Sequence, residues 1–236
     1  MIIRDEFDKR VDEINSFYHI LQIIELDTPK IIAYDVNNSS EKIVIINPSK
    51  IDTLRSTAYL LLYNLIESTV YNSITTIFDE INDNGLKYFD IIVNVQKYCL
   101  NNLYKHDDKK RKETIIETIM KIANQIFNDT IALASNEINY GGSLDAQTIF
   151  GTAKSMKIGV SNIYRIYNES THGRILIDVK RKRNWLAHGE KSFIEVGSSS
   201  TLSQLEDAKL HICEFLNEYI SSIETYISNQ EFKATI

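Results

Sequence analysis

A basic stretch in the last third of the sequence holds the residues whose types and spacing could do chemistry. It contains Arg183 and, five residues later, His188. RNA cleavage without a metal needs a base for the ribose 2′-OH, an acid for the leaving 5′-oxygen and a cation for the charge on phosphorus. Histidine suits proton transfer near neutral pH, and arginine grips phosphate with a planar, permanently charged fork. The pair could therefore supply the groups for metal-independent RNA cleavage.

The spacing within this stretch also restricts how the groups can act. Asn184 precedes His188 by four residues, so on a helix the two share a face and the amide can orient the imidazole. Arg183 lies about 140° around an ideal helix from His188. A single helix therefore does not direct both groups squarely at one phosphate. A symmetric pair of helices across a twofold could do so, and the motif predicts a homodimer.

Positive charge concentrates around this pair. Residues 172–191 contain six Lys or Arg and two acids, a local excess of four positive charges in a chain of net charge −6. The candidate RNA-binding residues are Lys180, Arg181, Lys182 and Lys191. Two plainer interpretations stay open. The basic run can be a solvated helix face, and His188 can be a helix C-terminal histidine that interacts with the helix dipole.

The Arg-to-His spacing is not specific by itself. A second match, Arg165 and His172, has a six-residue gap, and the polar residues 168–171 between them predict a loop. The remaining histidines, His19, His106 and His211, are expected to be ordinary core or surface residues. Gly141-Gly142 lacks the Lys-Ser/Thr that a phosphate-binding loop needs, so we predict no cofactor and no metal site.

Composition sets the class of protein. Hydrophobic residues make up 43% of the 236 residues, which is enough for a substantial core, and only two prolines interrupt the chain. The negative net charge argues against a generally basic nucleic-acid-binding surface, so any such site must be local. No stretch approaches a membrane span and no signal peptide opens the chain. We expect a soluble, cytoplasmic protein without a membrane partner.

Hydrophobic periodicity predicts an all-α antiparallel helical bundle with a small N-terminal β-hairpin. The hairpin comprises residues 30–36 and 42–46 around an Asn/Ser turn. Residues 1–48 should pack on a main helical domain of residues 49–230. The helices are predicted at 4–25, 51–82 (closed by Gly85), 86–104, 113–135, 144–156 (with Ser143 as the N-cap candidate), 172–188 and 202–228.

Three stretches of the chain resemble the HEPN superfamily (higher eukaryote and prokaryote nucleotide-binding domain), and in particular its MAE-type branch of HEPN-like nucleases. They are residues 60–70, the Leu-Asp-Ala element within 142–147, and residues 183–193. The last is the most specific, because Asn after Arg and Gly-Glu after His recur in this branch. The resemblance does not account for residues 30–48, and it gives the Leu-Asp-Ala element no role.

The resemblance implies a HEPN-like helical bundle with the motif at a dimer interface. It also implies endoribonuclease activity in which Arg183 and His188 are catalytic and Asn184 supports them. Superfamily members act as toxins or in defence against phage, so an antitoxin or a defence-system partner is a further expectation. Other members are inactive. A catalytically silent module that binds RNA, a nucleotide or a protein is therefore the alternative, and a purely structural helical dimer is a third.

Overall fold

The computed structural model describes residues 2–26, 29–37, 39–105, 112–127, 144–159 and 172–234. In these ranges the fold is all-α with one small antiparallel sheet, which confirms the predicted HEPN-like fold class and its N-terminal hairpin. Among the described residues, no helix combines the length and the apolar character that a membrane crossing requires.

The chain begins with helix α1 and the hairpin. Helix α1 spans Ile2–Ile24, and its buried Phe7, Ile14, Tyr18 and Leu21 repeat at helical spacing. Strand β1 spans Lys30–Asp35 and strand β2 spans Ser40–Ile45. The two strands pair antiparallel, from Lys30 opposite Ile45 to Asp35 opposite Ser40.

Helix α2, Pro48–Asp83, is the longest helix, as the sequence predicts. At its start the Asn47 side chain accepts a hydrogen bond from the Lys50 amide at 3.1 Å. It ends where Gly85 adopts φ +63°, with the Leu86 amide donating to the carbonyl of Ile81 at 3.2 Å. This is a Schellman end, which favours glycine because of the positive φ.

The predicted helix at 86–104 differs from the structure at its start. A 3-10 turn, Tyr88–Asp90, comes first, and helix α3 begins only at Val93 and ends at Lys105. The backbone between them pairs with the C-terminal segment: Ile91 bridges Lys233, and the Ile92 amide donates to Phe232 at 2.9 Å. These distant hydrogen bonds replace helical ones, and a local pattern does not reveal them.

Helices α4, Lys112–Phe127, and α5, Ala146–Ser155, follow. The prediction of Ser143 as the N-cap of α5 is wrong. Asp145 is the N-cap, and its carboxylate accepts from the Thr148 amide at 2.7 Å. Aspartate is as good a cap as serine, and it stands next to the first helical residue. Ser143 and residues 128–135 of the predicted fourth helix lie outside the described residues.

The last helices are α6, His172–His188; α7, Phe193–Ser198; and α8, Leu202–Ser228. The predictions for α6 and α8 are confirmed, whereas the six-residue α7 was not predicted. Its N-cap Ser192 and its Glu195 form a reciprocal capping box, a pattern that is visible in the sequence.

The chain forms two compact units, and the predicted division at residue 48 stays a prediction. The hairpin unit comprises residues 4–66 and 171–214, and the C-terminal unit comprises 1–3, 67–170 and 215–236. In the hairpin unit, the buried Tyr18 hydroxyl on α1 donates to the carbonyl of Leu205 on α8 at 3.0 Å. All the predicted site residues belong to the hairpin unit.

Candidate active site

The candidate site lies at the C-terminal end of α6. The helix ends at His188 because Gly189 takes up φ +69°, a conformation that an L side chain rarely adopts. The Glu190 amide donates to the carbonyl of Trp185 at 2.9 Å, and the Gly189 amide donates to Leu186 at 3.4 Å. This Schellman arrangement fixes the path of the chain directly after His188.

Two apolar residues mark the inward face of α6. Leu176 and Val179 are 2% and 1% exposed, and they lie three residues apart on the same face. Lys182 follows Val179 at the same spacing, so its side chain is also directed inward. The inward direction of Lys182 separates it from the cations that face solvent.

Lys182 lies in a polar cluster of three partners. Its ammonium donates to the Tyr59 hydroxyl at 2.8 Å and to Ser200 Oγ at 3.0 Å, and it pairs with the Asp178 carboxylate at 2.9 Å. Burial lowers the pKa of Lys182, but hydrogen bonds to Tyr59 and Asp178 outweigh it, and the pKa lies above its usual value. With a side chain only 12% exposed, Lys182 links α6 to α2 and to the segment before α8.

A pair of tyrosines on α2 holds two neighbouring cations of α6. Tyr59 and Tyr63 are four residues apart, and their side chains are 2% and 0% exposed. The Lys182 ammonium lies 4.3 Å from the Tyr59 ring centroid, and the Arg183 guanidinium carbon lies 4.5 Å from that of Tyr63. Cation–π attraction to the buried ring of Tyr63 therefore positions Arg183. Because the ring is neutral, the guanidinium retains its full positive charge for a phosphate.

Asn184 is placed against Arg183. Its side-chain oxygen accepts a hydrogen bond from Arg183 Nη1 at 3.2 Å. In the described part of the chain, no hydrogen bond from Asn184 or any other group reaches the His188 ring, and His188 is exposed. The structure thus brings Arg183 and Asn184 together and leaves the imidazole of His188 open to solvent.

The remaining predicted RNA-binding residues lie mostly on the outer side. The side chains of Arg181 and Lys191 are exposed and flank Trp185, with their charged groups 5.1 Å and 3.8 Å from its ring centroid. Arg181 also pairs with Asp178 at 2.5 Å. Lys180 is half-buried. The outer cations therefore gather around the single tryptophan.

The segment after His188 is held by the α7 capping box. The Ser192 backbone amide and hydroxyl both donate to the Glu195 carboxylate at 2.8 Å, and they hold the pKa of that carboxyl below its usual value. Further along α7, a Cβ on Gly197 would lie 1.8 Å from the Asp52 carbonyl oxygen. Only glycine fits where α7 meets α2 this closely.

The structure adds Tyr59, Tyr63, Asp178 and Ser200 to the residues that sequence reasoning named. The four-residue spacing of the tyrosines is visible in the sequence, but their partners on α6 are not. Arg165, from the second Arg-to-His match, lies outside the described residues. Within the described ranges, no three His, Cys, Asp or Glu side chains lie close enough to hold a metal ion.

Geometry sets what one copy of this site can do. Arg183 and Asn184 form a fixed cationic and hydrogen-bonding pair, and His188 is an accessible proton carrier one turn further on. Because Arg183 lies about 140° around the helix from His188, one copy presents the two groups in different directions.

Comparison with known proteins identifies the family. A family model of HEPN_MAE_28990-like HEPN proteins matches residues 2–232, nearly the whole chain. No curated protein and no solved structure matches the chain significantly. The chain therefore belongs to this HEPN family, and that membership points to a nuclease or an RNA-binding module.

Proposed function

We propose that this HEPN protein is a metal-independent endoribonuclease that acts as a homodimer, with Arg183 and His188 as catalytic residues and Asn184 in support. One observation carries the proposal: α6 holds a guanidinium on a buried tyrosine and, at the same helix end, exposes an imidazole. A fixed cation and an accessible proton carrier are two of the groups that phosphate-ester cleavage by 2′-OH attack requires.

The reaction follows from these two groups. A neutral imidazole takes the proton from a ribose 2′-OH while the 2′-oxygen bonds to phosphorus. Arg183 stabilises the additional negative charge on the phosphoryl oxygens. The bond from phosphorus to the 5′-oxygen then breaks, and a protonated imidazole supplies the proton to that oxygen. The products are a 2′,3′-cyclic phosphate and a 5′-hydroxyl.

A homodimer supplies the second proton carrier. Because one copy directs Arg183 and His188 apart, a twofold near the end of α6 would place His188 of a second copy near the same phosphate. One imidazole would then act as the base and the other as the acid. RNA would be held by Lys180, Arg181 and Lys191, whereas Lys182 acts as an internal anchor of α6.

Cleavage assays in EDTA test the proposal. We expect His188→Ala and Arg183→Ala each to lower the rate by about 10²–10⁴. Arg174→Ala, an exposed arginine at the other end of α6, is the matched control and should keep the wild-type rate. Products of the wild type should end in 2′,3′-cyclic phosphate. Cleavage that survives both substitutions, or that requires a divalent metal, contradicts the proposal.

A catalytically silent module that binds RNA is the second candidate function. The exposed His188, with no hydrogen bond from the described residues to orient its ring, favours it. Such a module binds RNA without turnover, and its affinity falls with salt. For a single strand, loss of one phosphate contact lowers the slope of log affinity against log salt by about 0.7, so Arg181→Ala and Lys191→Ala should each do so. Lys182→Met should leave the slope unchanged.

The proposed biological role is that of a toxin or a defence effector in the cytoplasm, controlled by an antitoxin or another partner. Expression of the wild type and of His188→Ala in bacteria tests it. Growth arrest by the wild type alone, with new cyclic-phosphate RNA ends, supports an active toxin. Equal growth of both strains while the purified wild type cleaves RNA contradicts the toxin role and leaves the nuclease proposal standing.

A further inference from the structure

The β-hairpin is the least covered element in the described part of the chain. Every residue of β1 is exposed, and all but one residue of β2 is exposed as well. A two-stranded hairpin is marginally stable in water unless something packs on it. Five of its residues are nevertheless large and apolar, with more than half of each accessible surface exposed: Ile31, Ile32, Tyr34, Ile43 and Ile45.

The register assigns four of these residues to one face. Residues directly opposite in an antiparallel pair share a face, and the faces alternate along each strand. The pairs Lys30–Ile45, Ile32–Ile43 and Tyr34–Glu41 therefore lie on the same side. We define the isoleucine face by these six residues. Its apolar members are exposed by 62% (Ile32), 61% (Tyr34), 56% (Ile43) and 68% (Ile45).

The hairpin base is fixed, so this face is presented in a defined position. Ile46, directly after β2, is 5% exposed, and its amide donates to the carbonyl of Pro29 at 3.1 Å. The Lys50 ammonium on α2 donates to the Ile45 carbonyl at 3.3 Å. An apolar patch on a firmly attached hairpin is typical of an interaction surface.

Charge on the isoleucine face indicates which partner it fits. Lys30 lies at the base of β1 and Glu41 lies near the tip of β2, at diagonally opposite corners. Neither has an ion-pair partner among the described residues. A twofold that crosses this diagonal places each Lys30 opposite Glu41 of a second copy and stacks the two Ile32–Ile43 pairs. The face is therefore complementary to itself.

We propose that the isoleucine face binds the isoleucine face of a second copy of this chain, in an isologous homodimer. One positive and one negative charge around apolar side chains do not suit RNA, which requires an excess of cations. Six side chains are fewer than the about 20–30 residues per partner of standard interfaces, so we expect a dimer that dissociates on dilution. This inference rests on the homodimer of the proposed function and deepens it: the hairpin contact and the end of α6, which belong to the same unit, would share one twofold. It does not depend on catalysis.

Sedimentation velocity over a dilution series tests the apolar contact. Wild type should show a monomer–dimer equilibrium, and Ile43→Lys should raise the dissociation constant at least tenfold because it places a charge in the centre of the face. Circular dichroism checks that the variant is folded. A wild type that is monomeric throughout, or a folded Ile43→Lys that dimerises as tightly as wild type, overturns the inference.

Charge reversal tests the pairing and does not rely on a core change. Lys30→Glu and Glu41→Lys should each weaken the dimer, and an equimolar mixture of the two should restore it, because every cross-pair is then opposite in sign. Lys42→Glu, on the other face of the hairpin, is the matched control and should dimerise like wild type. Failure of the mixture to dimerise overturns the inference.

A wild type that is monomeric at every concentration contradicts the homodimer of both proposals, and the other outcomes separate them. A nuclease whose oligomeric state ignores the hairpin variants contradicts only the dimer contact. A dimer that responds to the charge swap but shows no cleavage contradicts only the nuclease.

Discussion

Two neighbouring parts of α6 are built differently: residues 182–183, and the last helical residue, His188. At residues 182–183 both cations contact neighbouring side chains. Lys182 donates hydrogen bonds to Tyr59 and Ser200, and Arg183 lies over the ring of Tyr63. One turn later His188 is exposed, and no described group holds its ring. The positive charge of the candidate site is thus positioned by the fold, whereas the imidazole of His188, its proposed proton carrier, is not.

This difference bears on how the proposed site would divide its roles. A guanidinium stacked on a buried ring loses little freedom when it meets a phosphate, so it is organised in advance. In the proposed reaction, the exposed imidazole would be oriented by the bound RNA or by a second copy. Stability and activity should therefore separate along α6: changes near residue 182 should cost stability, and changes at residue 188 should cost activity alone.

The largest effect is expected where α7 meets α2. In Gly197→Ala the added Cβ would lie 1.8 Å from the Asp52 carbonyl oxygen, so either α7 or α2 must shift. We expect a loss of about 3 kcal/mol in the free energy of unfolding, as for strongly overpacked positions. Urea denaturation measures it.

Gly151→Ala is the matched control for that substitution. Gly151 lies inside α5, and an added Cβ meets nothing within 4 Å. Since alanine is the better helix former, the control should gain about 0.5–1 kcal/mol. Ser200, a partner of Lys182, follows α7 closely in the chain. Equal stability of Gly197→Ala and wild type would mean that the contact between α7 and α2 does not contribute to positioning Ser200 and Lys182.

The second effect concerns the polar cluster. Lys182→Met removes the donor to Tyr59 and Ser200 and leaves their hydroxyls and Asp178 to re-pair, so the loss should be about 2 kcal/mol. Lys191→Met, at an exposed position on the same stretch, should change stability by less than about 0.5 kcal/mol. A similar loss in both variants would remove the contrast between the inner and outer cations.

The unfolding free energy at alkaline pH tests the same polar cluster around Lys182. The folded-state pKa of Lys182 lies above its unfolded value, so its contribution is fully present below the unfolded pKa and is lost as pH rises through the folded one. Buried Tyr18, Tyr219 and Tyr226 also have raised pKa values and act in the same direction. The unfolding free energy of Lys182→Met should therefore fall less steeply above pH 10 than that of wild type. Parallel curves would contradict the assignment.

The smallest effect on stability is expected at the exposed His188. His188→Gln keeps a polar side chain at an exposed position without a described partner, so the unfolding free energy should change by less than about 0.5 kcal/mol. Thermal unfolding measures it. A large loss would instead support the interpretation of His188 as a structural helix-end residue.

Much of the fold was predictable because it is local. Apolar spacing located α2, α6 and α8, and two β-branched runs around an Asn/Ser turn located the hairpin. The late start of α3 was not predictable, because Ile91 and Ile92 pair with backbone more than a hundred residues away. Distant hydrogen bonds leave no local pattern.

The sequence names the residue types of the candidate site, whose role stays a prediction, but it does not reveal their contacts. Charge and spacing pointed to Arg183 and His188, and nothing in the sequence separates the inward Lys182 from the outward Arg181. That distinction depends on where α2 packs, which sets the side of α6 that meets Tyr59 and Tyr63.

Trp185 gives this site an optical property. It is the only tryptophan in the chain, and two exposed cations lie against its ring. Indole emission is sensitive to nearby charge, and any RNA that attracts Arg181 or Lys191 changes that surrounding. Tryptophan fluorescence of the unmodified protein thus arises from this one place on α6 and from nowhere else.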